Sequence, residues 1–164
     1  MIEIKFKGQP LHVKGPLLAV GSQAPSFELV DQDLKVVTLE SLGHKKKILN
    51  IFISLDTPVC AQSILSFEDH ARKLSDLVIL DISMDLPFAA SRFCKGHELG
   101  RAMTLSAFRS SFPKDYGIRI EDGPMRGLCA RAVVVLGEDN RILYNELVPE
   151  ITQEPDYKAA LRAL

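Results

Sequence analysis

Apolar and charged positions alternate strictly at the start of the chain, with Ile2, Ile4 and Phe6 separated by Glu3 and Lys5. That is the period of a strand with one face buried. Residues 2–13 read as a hairpin with a turn near Gly8-Gln9-Pro10, followed by a connector over 15–25 and short strands at 27–30 and 36–39. The run 48–55 is continuously apolar apart from Asn50 and Ser54, as expected of a strand covered on both faces. Residues 58–74 then change to helical spacing: Ile64, Phe67, Ala71 and Leu74 share one face, while Glu68, Asp69, Arg72 and Lys73 turn to water. A strand at 77–83 completes a parallel βαβ unit. A second helix is predicted over 85–95, with Pro87 near its start and Gly96 just past its end. Further on come a short strand at 102–105 and a helix at 107–116 bent at Pro113. A long apolar strand at 128–136 contains Arg131; Gly137-Glu138-Asp139-Asn140 turns it into 141–148, and a last helix starts at about Pro155.

A parallel βαβ half, an antiparallel hairpin and a closing helix make an α/β arrangement of thioredoxin-like type. The 164 residues suit a single domain, with 46% hydrophobic and 25% charged residues. A net charge of −1 and no basic block longer than Lys45-Lys46-Lys47, read as a solvated loop, argue against nucleic-acid binding. The alternating start lacks a signal-peptide core, and no run reaches membrane-span length, so the expected compartment is the cytosol. Three cysteines cannot all pair within one chain, so this is not a disulfide scaffold.

Chemistry concentrates at Thr57-Pro58-Val59-Cys60, directly after the buried strand. Thr57 suits the N-cap and Pro58 the first helical position, which puts Cys60 in the first turn. Backbone N–H groups there lack intrahelical partners and the helix dipole is positive, so a thiolate is stabilised relative to the thiol. A lone cysteine is ordinarily a small buried hydrophobe; the strand-to-helix position turns the reading towards a nucleophile. Cys94, on a helix with Phe88 and Phe93, is either core or a thiol that meets Cys60. Pairing requires a Cα separation within about 7 Å, which local unfolding around Cys94 would have to supply. Arg131 leaves three readings open: a solvent-facing strand end, a carboxylate pair, or a guanidinium beside the Cys60 thiolate. Cys129 shares the face of Arg131 if both lie in the strand, and otherwise is a small core residue. No histidine and cysteine spacing completes a zinc site, and no CxxC is present.

Four separated motifs carry a resemblance. Asp56-Thr57-Pro58-Val59-Cys60, the run from Ser83-Met84-Asp85-Leu86-Pro87 to Arg92-Phe93-Cys94, Asp122-Gly123-Pro124-Met125-Arg126-Gly127-Leu128 and Ala130-Arg131-Ala132-Val133-Val134-Val135 resemble the bacterial thiol peroxidases. These are the atypical two-cysteine branch of the peroxiredoxins, and the likeness spans effectively the whole chain. It implies a thioredoxin-like fold with a central mixed sheet flanked by helices and an added N-terminal hairpin. It also implies Cys60 as peroxidatic cysteine, Cys94 as resolving cysteine of the same subunit, and Thr57 and Arg131 as binders of the peroxide oxygens. The implied reaction is reduction of alkyl hydroperoxides and hydrogen peroxide by a homodimer recycled by thioredoxin, with no metal or organic cofactor.

The sequence departs from that pattern at Ile53, where the family has proline seven residues before the peroxidatic cysteine. Isoleucine keeps apolar cover but loosens the backbone, so the chemistry is expected to survive with altered rate or over-oxidation sensitivity. Leu55, Leu86 and Phe88 are candidate walls of an alkyl-binding groove. Two competing functions remain at this point. One is a non-enzymatic thiol redox sensor; the other is a cysteine hydrolase using His97 as base, since His70 lies too far along the helix of Cys60.

Overall fold

The computed structural model describes residues 1–97 and 102–164. Two sheets form. Strands β1 (Ile2–Phe6) and β2 (Gln9–Val13) make the N-terminal hairpin. The other seven are β3 (Glu28–Val30), β4 (Val36–Thr38), β5 (Lys46–Ile51), β6 (Leu77–Ser83), β7 (Ala102–Ser106), β8 (Ala132–Leu136) and β9 (Ile142–Leu147). They lie side by side in the order β4-β3-β7-β6-β5-β8-β9. β5, β6 and β7 run parallel, whereas β8 pairs antiparallel with β5, so the sheet is mixed. Helices α1 (Pro58–Ala71), α2 (Pro87–Lys95), α3 (Phe112–Asp115) and α4 (Tyr157–Arg162) complete the fold.

The two sheet faces follow from the strand period of two. Ile48, Ile79, Val133 and Val135 point to one side, under Phe67 and Ala71 of α1 and Ala160 of α4. Leu49, Ile51, Leu80, Ile82, Val134 and Leu136 point to the other, against Phe27, Phe112 and Tyr116. Because both faces are covered, β8 reads Ala-Val-Val-Val-Leu with every residue buried. The rings of Phe67 and Tyr157 meet edge to face at 4.9 Å, joining α1 to α4.

Several elements are shorter than the hydrophobic pattern predicts. The apolar run 48–55 leaves the sheet after Ile51, and residues beyond it build a loop over the end of β6. Helix α1 ends at Ala71, so Leu74 is left 37% exposed, while Glu68, expected to face water, is buried. The helix expected at 107–116 reduces to α3, which Pro113 can start but not extend backwards. The hairpin turn falls at Lys7-Gly8, both with positive φ (49° and 80°), one step before the expected place. Lys47 is not part of a solvated loop. Its Nζ donates to the carbonyls of Gly43 and Lys45 and to Asn140 Oδ1, and burial lowers its pKa.

The hairpin is not a loose appendage. Lys5 N donates to Pro149 O and Ile151 N to Lys5 O, at 2.7 and 2.8 Å. Ile4, Leu11 and Val13 thereby enter the apolar cluster that surrounds Cys60.

Candidate active site

Thr57 is the N-cap of α1. Its extended backbone (φ −97°, ψ 141°) lets its Oγ1 accept from Cys60 N at 3.4 Å, while the same hydroxyl donates to Ser54 O. With Pro58 opening the helix, Cys60 occupies the first turn as predicted. Its side chain is buried among Phe52, Ile53, Leu55 and Ile64.

Arg131 lies one residue before β8, not within a longer strand. It is almost wholly buried. Its Nε donates to Ile151 O at 2.8 Å and its Nη2 to Cys60 Sγ at 3.0 Å. Nη1 is buried with no acceptor among the described residues. Of the three readings of Arg131, the structure selects the one beside the sulfur. A buried guanidinium without a carboxylate partner is strongly unfavourable unless another anion compensates it. Among the described residues no carboxylate forms an ion pair with Arg131. The side-chain partner that the guanidinium does have is the Cys60 sulfur.

Above this pair opens an apolar pocket of about 270 Å³, lined by Phe6, Ile53, Pro58, Val59, Met125 and Ile151, with Thr57, Arg131, Lys7 and Thr152 as its polar residues. Ile53 does keep apolar cover at the position where the family pattern has proline. The wall expected from Leu55, Leu86 and Phe88 does not form: Leu55 is buried in the core, and Leu86 and Phe88 project into solvent at 51% and 69% exposure. A larger open groove of about 810 Å³ along β3 and β4 contains none of the cysteines.

Cys94 is not brought to Cys60. All three cysteines are free. Phe93 packs against the cluster around Cys60, and one helical step further Cys94 faces β7, its Sγ 3.1 Å from Thr104 Oγ1. Its own pocket is lined by Asp31, Asp33, His97 and Thr104. Cys129 does not share a strand face with Arg131. It precedes β8, bridges to Arg119 and sits in the core cluster with Phe112, Tyr116 and Ile118. There burial, with the charge of Asp85 second, pushes its thiol up to about 12, which makes it inert. His70 Nδ1 and His97 Nδ1 are bonded to the backbone carbonyls of Ser66 and Phe93. Neither ring serves Cys60 as a base.

Sequence reasoning missed two polar groups. Asp85 accepts from Ser54 Oγ, Leu55 N and Ser83 Oγ at 2.7–2.8 Å. A buried chain also runs beneath α1: Ser63 Oγ donates to Cys60 O, and Asn50 Nδ2 donates to both Ser63 Oγ and Asp81 Oδ1. The available signal was a polar residue flanked by apolar neighbours within a strand, Asn50 in β5 and Asp81 in β6. Among the described residues no three His, Cys, Asp or Glu side chains gather as metal ligands. Nor is any described helix long and apolar enough to cross a membrane.

Residues 19–161 match the redoxin family. A thiol peroxidase of Mycobacterium bovis is 50% identical over 164 residues, covering 100% of this chain and 99% of that protein. Among solved structures, a peroxiredoxin-like protein from Aquifex aeolicus superposes with a TM-score of 0.91 at 33% identity, over 98% of this chain and 95% of the other. A thiol peroxidase from Chromobacterium violaceum gives 0.89 at 25% identity, over 98% and 93%. The N-terminal hairpin, outside the family match, is therefore largely inside the structural ones. The chain belongs to the redoxin family and, within it, to the thiol peroxidases, enzymes that reduce peroxides at the expense of thiols.

Proposed function

We propose that Cys60 is the peroxidatic cysteine, Cys94 the resolving cysteine, and Thr57 and Arg131 the groups that hold the peroxide. The single observation that carries this reading is the 3.0 Å contact from Arg131 Nη2 to Cys60 Sγ at the base of an apolar pocket. The Cys60 thiolate attacks one oxygen of ROOH and the O–O bond breaks. The sulfur leaves as sulfenic acid, and the departing alkoxide takes a proton to become ROH. Arg131 and first-turn N–H groups are prearranged near the charge that develops on the departing oxygen, and the Thr57 hydroxyl joins them by turning its hydrogen from Ser54 O to the peroxide. The Cys94 thiol then displaces water from the sulfenic acid, giving a Cys60–Cys94 disulfide. Thioredoxin returns both thiols by dithiol exchange.

The pocket's apolar walls favour alkyl hydroperoxides alongside hydrogen peroxide. A homodimer, a single domain over 1–164 and a cytosolic location complete the reading; the cytosol keeps such thiols reduced between turnovers. The test is steady-state consumption of cumene hydroperoxide with thioredoxin and its reductase. Wild type should turn over many equivalents, Cys60→Ser none, and Cys94→Ser a single round of oxidation without cycling. Oxidation that stops after one equivalent in the wild type would instead describe a sensor.

A further inference from the structure

Asp85 stands between the two cysteine segments. It lies two residues past the end of β6 and precedes Leu86, the N-cap of α2. Its Oδ1 accepts from Ser54 Oγ at 2.8 Å, and its Oδ2 accepts from Leu55 N at 2.7 Å and Ser83 Oγ at 2.8 Å. Its backbone is pinned as well: Asp85 N donates to Ser83 Oγ, and Asp85 O accepts from Ser106 Oγ. Among the described residues no cation pairs with this carboxylate, which is satisfied by neutral donors from the loop before α1 and from the end of β6.

The loop it grips leads straight to the peroxidatic turn. Ser54 O accepts from both Thr57 N and Thr57 Oγ1, and Thr57 Oγ1 in turn accepts from Cys60 N. On the other side Asp85 is the residue next to the N-cap of α2, its backbone held by Ser83 Oγ and Ser106 Oγ, and α2 carries Cys94. A second tie between the segments, Arg92 to Asp56 at 3.3 Å, is 73% and 69% exposed and so contributes little. The carboxylate hydrogen bonds are the stronger link, because charge-assisted bonds are about twice as strong as neutral ones.

We propose that Asp85 is a positioning residue that makes the peroxidatic turn and the resolving helix open as one unit. It thereby sets how the Cys60 sulfenic acid divides between disulfide formation and over-oxidation. The division rests on the resolving role of Cys94 proposed above; the joint opening does not. Disulfide formation requires Cys94 to leave Thr104 and Cys60 to leave Arg131. While the clamp holds, the sulfenic acid stays in the pocket, where a second ROOH can convert it to sulfinic acid and release ROH.

The experiment compares wild type with Asp85→Asn, which keeps the shape but cannot accept at both oxygens. Amide exchange of the reduced proteins is read at Leu55, Ala89 and Ala90, and peroxide-treated samples are analysed by mass spectrometry for disulfide and sulfinic acid. Exchange at all three amides should rise about tenfold together, the factor a hydrogen bond to a charged acceptor typically supplies. Exchange in β8 should stay unchanged. Sulfinic acid per turnover should fall severalfold as disulfide forms sooner. Ser54→Ala, which removes one donor, should give the same pattern at smaller size and covers the case in which Asp85→Asn folds poorly. Exchange that is unchanged, that rises on one segment only, or that rises equally in β8 overturns the clamp. Joint exchange without a Cys60–Cys94 disulfide in oxidised wild type overturns the resolving assignment, and with it the division, while the joint opening stands.

Discussion

The surroundings of Cys60 and Cys94 differ in nearly every physical respect. Cys60 is fully buried, bonded by a guanidinium, capped by Thr57 and anchored from below through Ser63, Asn50 and Asp81. Cys94 is only part-buried, near the end of a nine-residue helix whose N-cap makes no side-chain bond, and its sulfur has one weak hydroxyl partner. Few buried contacts and an uncapped start are the marks of a segment that opens locally at low cost. One thiol is built to meet peroxide in place and the other is lightly held, and both must then move for the disulfide to form. The asymmetry follows from the reaction: stabilising charge on a leaving oxygen demands fixed donors, whereas forming a disulfide demands that something move.

The strongest challenge to the comparison is to remove what makes Cys60 special. Arg131→Met keeps the buried volume and deletes the charge. The second-order rate of cumene hydroperoxide with the reduced enzyme should fall about 100- to 1,000-fold, the usual cost of losing a prearranged donor to a developing oxyanion. A loss below tenfold in stopped-flow measurements would mean that the first turn of α1 alone activates the sulfur.

The anchor beneath Cys60 makes a subtler prediction. Asp81 is fully buried, and burial pushes its carboxyl from 3.8 up to about 7, with the Asn50 hydrogen bond opposing and the charge of Glu68 adding to the rise. Asn50 Oδ1 and Asp81 Oδ2 are both buried acceptors without a donor among the described residues, and a proton on Asp81 relieves that conflict. The native state holds this proton more tightly than the unfolded chain does. The stability that Asp81 contributes is therefore fully present below pH 3.8, falls as the pH rises towards about 7, and is lost above it. Asp81→Asn should remove this slope and gain up to a few kcal/mol at pH 8, measured by urea unfolding across that range. An unchanged slope would show that Asp81 titrates normally.

The smallest effect belongs to Cys94. Thr104→Val deletes the hydroxyl at 3.1 Å from its sulfur at constant shape. Alkylation of Cys94 by iodoacetamide should accelerate a few-fold, the size of one neutral hydrogen bond. No change would mean that Cys94 is held by the packing of α2 rather than by Thr104.

Much of this molecule was legible before any coordinates, and the legible parts share a feature. The start of α1 was readable because Thr57 and Pro58 act on backbone groups within one helical turn. The hairpin at Gly137-Glu138-Asp139-Asn140 was readable because turn chemistry is equally local, with Asn140 in the left-handed region at φ 64°. Errors fell where the apolar pattern outran the pairing. Residues 52–55 are as hydrophobic as a strand, yet they leave the sheet, and Asp85 ties Ser54 and Leu55 beside the end of β6. Glu68 was assigned to water by its charge, but helical phase turns it inward. Cys129 and Arg131 were joined by a strand that begins only at Ala132.

The sequence by itself determined the order of elements, the two-faced sheet and the placing of a cysteine at a helix start, because each depends on neighbours within a few residues. Only the tertiary structure decided which groups meet that cysteine. Arg131 lies 71 positions from Cys60, and Asp85 lies 30 from Leu55. Their meeting depends on Asn50 standing opposite Val133 on one side and Asp81 on the other, a register set by how whole strands pair.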